Sequence, residues 1–245
     1  MIDIYVMEDA IKKVVVLMLM LSLAACTAQE DDNEAEHVDL LTAFEFANGN
    51  QEWKGGISDF PIDYLDSVVY KINNEAVPNS LTSSGKALNI SAVNPHRDLF
   101  YYFLRKESGL EPGERYKIDF EFLVYTQLTG KVDGDLYLKL GATNFPPELS
   151  PRMSGTDKNI ELISLNVDKG DTNSASGTDV VNIGSIKEFT GEKPEVISGN
   201  NFDKRIEVVA DRQGNVWLII GVDSGISGQL TFGMAALTVY FRKQN

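Results

Sequence analysis

Cysteine occurs once in the 245 residues, and histidine and tryptophan twice each. The lone Cys26 excludes an intramolecular disulfide and any zinc site built on cysteines. His37 lies in a polar, acidic stretch, so a histidine-dependent triad has only His96 to draw on, and no Gly-x-Ser-x-Gly elbow accompanies it. Phosphate-binding glycine loops and His-rich metalloprotease motifs are missing as well. Basic residues are in deficit, 22 Lys and Arg against 36 Asp and Glu, and the resulting net charge of −14 argues against nucleic acid as a partner. The leading apolar run, Val14 to Ala25, spans 12 residues, short of the roughly 20 that a membrane-spanning helix needs. With 43% hydrophobic residues, 20 glycines and only 8 prolines, the profile is that of a globular chain with one sizeable core.

Lys12 and Lys13 precede that run, "VVVLMLMLSLAA", which has the length of a signal-peptide core; residues 1–25 are read as a signal peptide removed in processing. The run ends in Leu23-Ala24-Ala25-Cys26, which resembles the lipobox of bacterial lipoproteins. The resemblance implies that the Cys26 thiol receives a lipid before cleavage, and that Cys26 is therefore not a nucleophile. The alternatives are ordinary secretory cleavage leaving a free thiol, or a buried helix. Asp3, Glu8 and Asp9 do not suit a basic n-region, so both Met1 and Met7 stand as translation starts. Residues 26–40, with "TAQEDDNEAEH" after the cysteine, are too poor in apolar groups to fold and read as an extended acidic tether. The stretch resembles the acid-rich export signals of surface lipoproteins of one Gram-negative phylum; a plain solvated linker is the other reading. The expected address is the outer membrane or cell surface, with the membrane as a partner through lipidated Cys26.

From residue 41 to 245 the dominant period is two. Phe44 and Phe46, Leu88 and Ile90, Tyr116 through Phe122, and Leu136 through Leu140 alternate with polar neighbours, as half-buried antiparallel strands do. "DLFYYFLRK" and "NVWLIIGV" are nearly continuous apolar runs, expected to be strands buried on both faces, and Trp217 within the second is read as core. Turn signals such as Glu111-Pro112-Gly113-Glu114 separate the runs. The pattern predicts an all-β fold, a single antiparallel β-sandwich, with a barrel as the alternative.

"SGLEPGERYKIDFEFLVY" resembles the middle strand of jelly-roll carbohydrate-binding modules, with "LTFGMAALTVYFRK" as the closing strand. The ordered stretches "FEFANGNQEWKGGISDFPIDY", "KALNISAVNPHRDLFYYFLRKESGLEPGERYKIDFEF", "YLKLGAT", "LNVDKGDTNSASGTDVVNIG" and "VWLIIGVDSGISG" resemble a family of uncharacterised Gram-negative envelope proteins. Both resemblances imply a jelly-roll-like sandwich; neither brings an established activity.

Three stretches carry candidate sites. "EWKGGISDFPIDY" offers Trp53, Asp59, Phe60 and Tyr64 among turn residues, a combination able to present an aromatic platform to a sugar face; core packing is the alternative for Trp53. "NPHRDLFYY" places Asn94, His96, Arg97 and Asp98 just before a buried strand, where they would bond sugar hydroxyls or a peptide, or simply close a turn. "NVDKGDTNSASGTD" crowds Asp168, Asp171, Asn173, Ser174, Ser176 and Asp179 into one loop, an oxygen-rich set suited to a structural calcium or to turn-making in a solvated loop. The reading these features support is a lipid-anchored envelope protein binding a glycan without chemistry. A structural or adhesive protein-interaction component is the first alternative. A glycosidase-like enzyme, which needs two facing carboxylates, is the second.

Overall fold

The period-two pattern becomes strands throughout a computed structural model of the chain, which describes residues 37–66, 69–77, 85–94, 97–129, 134–154, 157–186 and 194–244. The leader, Cys26 and the tether through Glu36 lie outside the described residues, as does His96. Among the described residues the strands are β1 (Leu40–Glu45), β2 (Lys54–Ser58), β3 (Phe60–Pro61), β4 (Tyr70–Ala76), β5 (Lys86–Asn94), β6 (Leu99–Ser108), β7 (Arg115–Thr129), β8 (Leu136–Thr143), β9 (Leu149–Met153), β10 (Glu161–Leu165), β11 (Val180–Ile186), β12 (Glu195–Asn200), β13 (Glu207–Val209), β14 (Asn215–Ser224) and β15 (Gly228–Lys243). The body opens a little before β1, where the Asp39 amide donates to Phe241 O at 2.9 Å.

Two antiparallel sheets face each other. One runs β12-β7-β15-β5-β4, with β13 added to β7 and β1 to β15; the other runs β11-β8-β14-β6-β2. Alternation selects their inner faces. Ile118, Phe120, Phe122 and Val124 of β7 meet Leu136, Leu138 and Leu140 of β8 and Val216, Leu218, Ile220 and Val222 of β14 in one buried cluster. The Phe103 and Phe232 rings touch across the gap, with centroids 5.4 Å apart. Burying side chains of this size contributes about 1.5–3 kcal/mol each relative to exposure, and the open two-sheet arrangement is a sandwich rather than a barrel. A register irregularity in β15 between Met234 and Ala236 moves the inward phase from Leu230, Phe232 and Met234 to Leu237, Val239 and Phe241. That extra residue is why "LTFGMAALTVYFRK" does not alternate cleanly.

The outer face of the second sheet is covered in part. Phe100, Tyr102 and Ile219 point away from the main core and pack on Leu165, Val167 and Val180. The cover comes from a small antiparallel sheet, β3-β10-β9, and from the loop that runs from β10 to β11. Glycine at 221 permits it, since a Cβ there would meet the Phe100 ring at 2.5 Å. β6 and β14 are thus buried on both faces along most of their length, as their sequences predict. The cover ends before Trp217.

Candidate functional site

Trp217 sits on the outer face of β14, opposite Lys106 of β6 and Thr143 of β8. It is half-buried and not a core residue, which corrects the expectation drawn from its apolar run. Inward Val216 and Leu218 take the core positions, and alternation leaves Trp217 at the uncovered end of the outer face. There it lines a groove of about 580 Å³ with Glu52, Lys54, Leu104, Lys106 and the Pro146-Pro147-Glu148 wall. The wall is stiff for three reasons. Two consecutive prolines fix their own φ angles. The Asn166 side chain accepts from Glu148 N at 2.7 Å, while its amide donates to Glu148 O at 2.9 Å. Thr143 Oγ1 donates to Phe145 O at 2.7 Å.

Charge in the groove is divided unevenly. Arg105 reaches Glu52 at 3.2 Å and Glu107 at 3.5 Å, and its guanidinium lies 4.7 Å from the Phe44 ring centre. Lys54 and Lys106 are exposed and, among the described residues, have no carboxylate within ion-pair distance. The Lys106 ammonium instead lies 5.6 Å from the Trp217 ring centre. An aromatic face, a rigid apolar wall and available hydrogen-bond donors make a groove suited to a flat polar ring with apolar C–H faces.

Beneath the cover lies a second constellation, which sequence reasoning missed. Lys139 of β8 and Asp223 of β14 are both fully buried and pair at 3.0 Å. Lys169, from the covering loop, reaches Asp223 Oδ2 at 2.6 Å and Asp59 Oδ2 at 3.1 Å, and stands 5.4 Å from the Phe100 ring centre. Ser164 Oγ donates to Asp59 Oδ1 at 2.6 Å, and Lys139 Nζ donates to Lys169 O at 2.8 Å. Burial works against the Lys169 charge, but the Asp59 and Asp223 carboxylates together outweigh it and hold this ammonium above the usual lysine range. Burial pulls Lys139 below that range, with Asp223 opposing and Lys169 adding to the pull. Asp98 lies beside this set. Desolvation first, then the neighbouring Asp59 and Asp223 charges, push its carboxyl up to about 6.

The residues singled out from sequence are distributed between these two places and the core. Trp53 is 1% exposed, edge-to-face with Phe44 at 5.4 Å, and Phe60 is 5% exposed, paired with Ile163. The proposed Trp53, Phe60 and Tyr64 platform is therefore not formed: alternation about β2 and β3 spends two of its three rings on packing, and only Tyr64 is open to solvent. Asp59 is buried with φ of 67° and belongs to the charge cluster. Asn94 is buried as well, donating to Ser224 O at 3.0 Å and accepting from Arg97 N at 2.9 Å, so it ties the end of β5 to β14 and to Arg97. Asp98 and Asn173, far apart in sequence, come together: with the Asn173 amide assigned from its neighbours, its nitrogen donates to Asp98 Oδ1 at 3.1 Å and its oxygen accepts from Gly225 N at 2.9 Å.

The side-chain oxygens of the oxygen-rich loop bond within the loop and to its neighbours. Asp168 accepts from Thr178 N and Gly170 N at 2.9 and 3.1 Å, and these amides hold its carboxyl below the usual range. Asp179 accepts from Asp168 N at 2.8 Å, Asn173 turns to Asp98, and Asp171 is exposed. Among the described residues no three carboxylates, histidines or cysteines converge as metal ligands. The loop's oxygens close the loop.

No protein-family model matches the chain, and no curated protein matches it either. Solved structures with a similar outline include a xylan-binding domain from Paenibacillus barcinonensis, with 13% identity, 86% of this chain and 99% of that one covered, and TM-score 0.38. A carbohydrate-binding module described for specific mannan recognition is similar at 13% identity over 84% and 98% of the two chains, with TM-score 0.36. The enzymatically active domain of a bacteriophage CBA120 tailspike protein is similar at 11% identity and TM-score 0.32; the chain spans about a fifth of its length, and 79% of this chain is covered.

Proposed function

We propose that the chain is a lipid-anchored envelope protein whose sandwich binds a glycan, without chemistry, in the groove floored by Trp217. The observation that carries this reading is the half-buried indole beside two lysines that, among the described residues, have no ion-pair partner, against a wall of two prolines. Pyranose rings present C–H faces to indole and hydroxyls to such donors. Asp59 and Asp223 are not a free carboxylate pair of the kind hydrolysis uses: both are buried on Lys169. Electrophoresis of the full chain through gels containing a range of neutral and acidic polysaccharides tests the reading. Retention by at least one polysaccharide, lost at least tenfold in Trp217→Ala with an unchanged melting curve, is expected; absence of retention by every polysaccharide overturns it.

Attachment through Cys26 rests on Leu23-Ala24-Ala25-Cys26 behind the apolar run. Cys26→Ser is expected to move the protein from the membrane to the soluble fraction and to abolish labelling by an alkyne fatty acid. Labelling that persists in the variant would remove the anchor from the proposal.

A protein-interaction role has one observation in its favour. Val69, Tyr70 and Val93 are 79%, 46% and 57% exposed beside a groove of about 350 Å³ at the β4 edge. An empty polysaccharide screen together with a partner lost on Val93→Lys would favour that reading.

A further inference from the structure

The geometry points to an anionic glycan, bearing uronate or sulfate groups, as the occupant of the Trp217 groove; this rests on the reading that the groove binds a glycan at all. The reason lies in the position of Lys106. Its ammonium is held over the indole, 5.6 Å from the ring centre, so a sugar that stacks on that face of the ring competes with it. A neutral sugar has to displace the ammonium and offers no charge in return, forfeiting a cation–π contact worth a few-fold in an equilibrium. An acidic sugar draws Lys106 off the ring into an ion pair with its own carboxylate or sulfate, so the step that uncovers the indole is the step that binds the charge.

Lys54 lies on the strand adjoining β6, directly opposite Leu104, and supplies a second cation on the same stretch of groove. The groove's acids do not cancel this. Glu52 is engaged by Arg105; Asp211, outside the groove lining but within electrostatic reach of Lys106, accepts from Asn215 Nδ2 at 3.0 Å; and Glu148 remains as one free carboxylate in the groove against two lysines. On a chain with net charge −14, a groove in which the uncommitted charge is positive is a local reversal of sign. The same overall negative field opposes long polyanions approaching elsewhere on the surface.

The test compares matched ligands on the full chain: oligogalacturonate and its methyl ester, and chondroitin sulfate and its desulfated form, titrated calorimetrically at low and high salt. For at least one pair the acidic member is expected to bind about three- to tenfold more tightly at low salt, with the margin lost at high salt. Lys106→Gln is expected to narrow that margin to under about twofold, partly by improving binding of the neutral member, whose stacking face is now open. Equal binding of both members, or an unchanged margin in Lys106→Gln, overturns the charge preference while leaving glycan binding intact. Loss of the whole signal in Trp217→Ala is required of either outcome. Absence of binding by every ligand here and in the gel screen overturns the glycan reading itself.

Discussion

Lys169→Met is expected to cost about 3–5 kcal/mol of stability, because it leaves Asp59 and Asp223 buried without the cation they share. For a body of this size that lowers the melting temperature by roughly 10 °C. The ammonium is held at 2.6 Å by one carboxylate and 3.1 Å by the other, so no water-exposed substitute is at hand. Methionine keeps the stem that packs near Phe100, which separates loss of charge from loss of volume. Adding Asp59→Asn to the variant removes one orphaned carboxylate, and Asp223 keeps Lys139 at 3.0 Å. The double variant is therefore expected to recover a large part of the loss, the sign of a coupled pair. Denaturant unfolding of the single and double variants reads both effects. A loss under about 1 kcal/mol in the single variant, below the range for a broken buried pair, would show that the cluster is not held as a unit.

The consequence reaches the groove. Lys169 sits in the loop that follows β10, and Asn166, just before it, is the residue that clasps Glu148 of the groove wall. Loosening that loop in Lys169→Met should weaken glycan retention even though no residue at the groove has changed. The buried ion cluster and the Trp217 groove are thus two ends of one piece of covering structure.

How much of this was legible in the sequence depends on which face a residue uses. The inner faces were, because Phe120, Leu138 and Val222 sit in uninterrupted period-two runs. The jelly-roll-like sandwich follows from those runs and the turns between them. The outer face of the second sheet was not legible, because its cover comes from a segment distant in sequence. Lys139 in "DLYLKLGA" reads as a solvent-facing lysine and is fully buried, since alternation says which face a side chain takes and not what lies upon it. Trp217 could have been found. Asn215, Trp217 and Asp223 share one phase of β14, and two polar residues in the phase of a tryptophan mark it as the outward one. Trp53, though flanked by Glu52, Lys54 and two glycines, takes the core-packing reading that stood beside the platform, edge-to-face with Phe44.

Asp98→Asn is expected to stabilise the protein at neutral pH by about 2–3 kcal/mol, raising the melting temperature by roughly 5–10 °C. Lys139 and Lys169 are balanced in number by Asp59 and Asp223, which leaves a charged Asp98 as a third anion beside a neutral cluster. Burial, then Asp59 and Asp223, lift its carboxyl from 3.8 to about 6, against the pull of Lys169 and Arg152. The sign follows from proton counting. Between these two values the folded state binds more protons than the unfolded one, so this group's contribution is fully present below about pH 4, declines as pH rises through about 6, and is lost above it. Asparagine keeps an acceptor for the Asn173 amide and carries no charge to desolvate. Thermal unfolding of wild type and variant across pH 3.5–7.5 should therefore give curves that meet near the acid end and part steadily toward neutrality. Parallel curves, or a variant less stable at pH 7, would mean that Asp98 is ionised at no cost and that the cluster holds a third anion as readily as two.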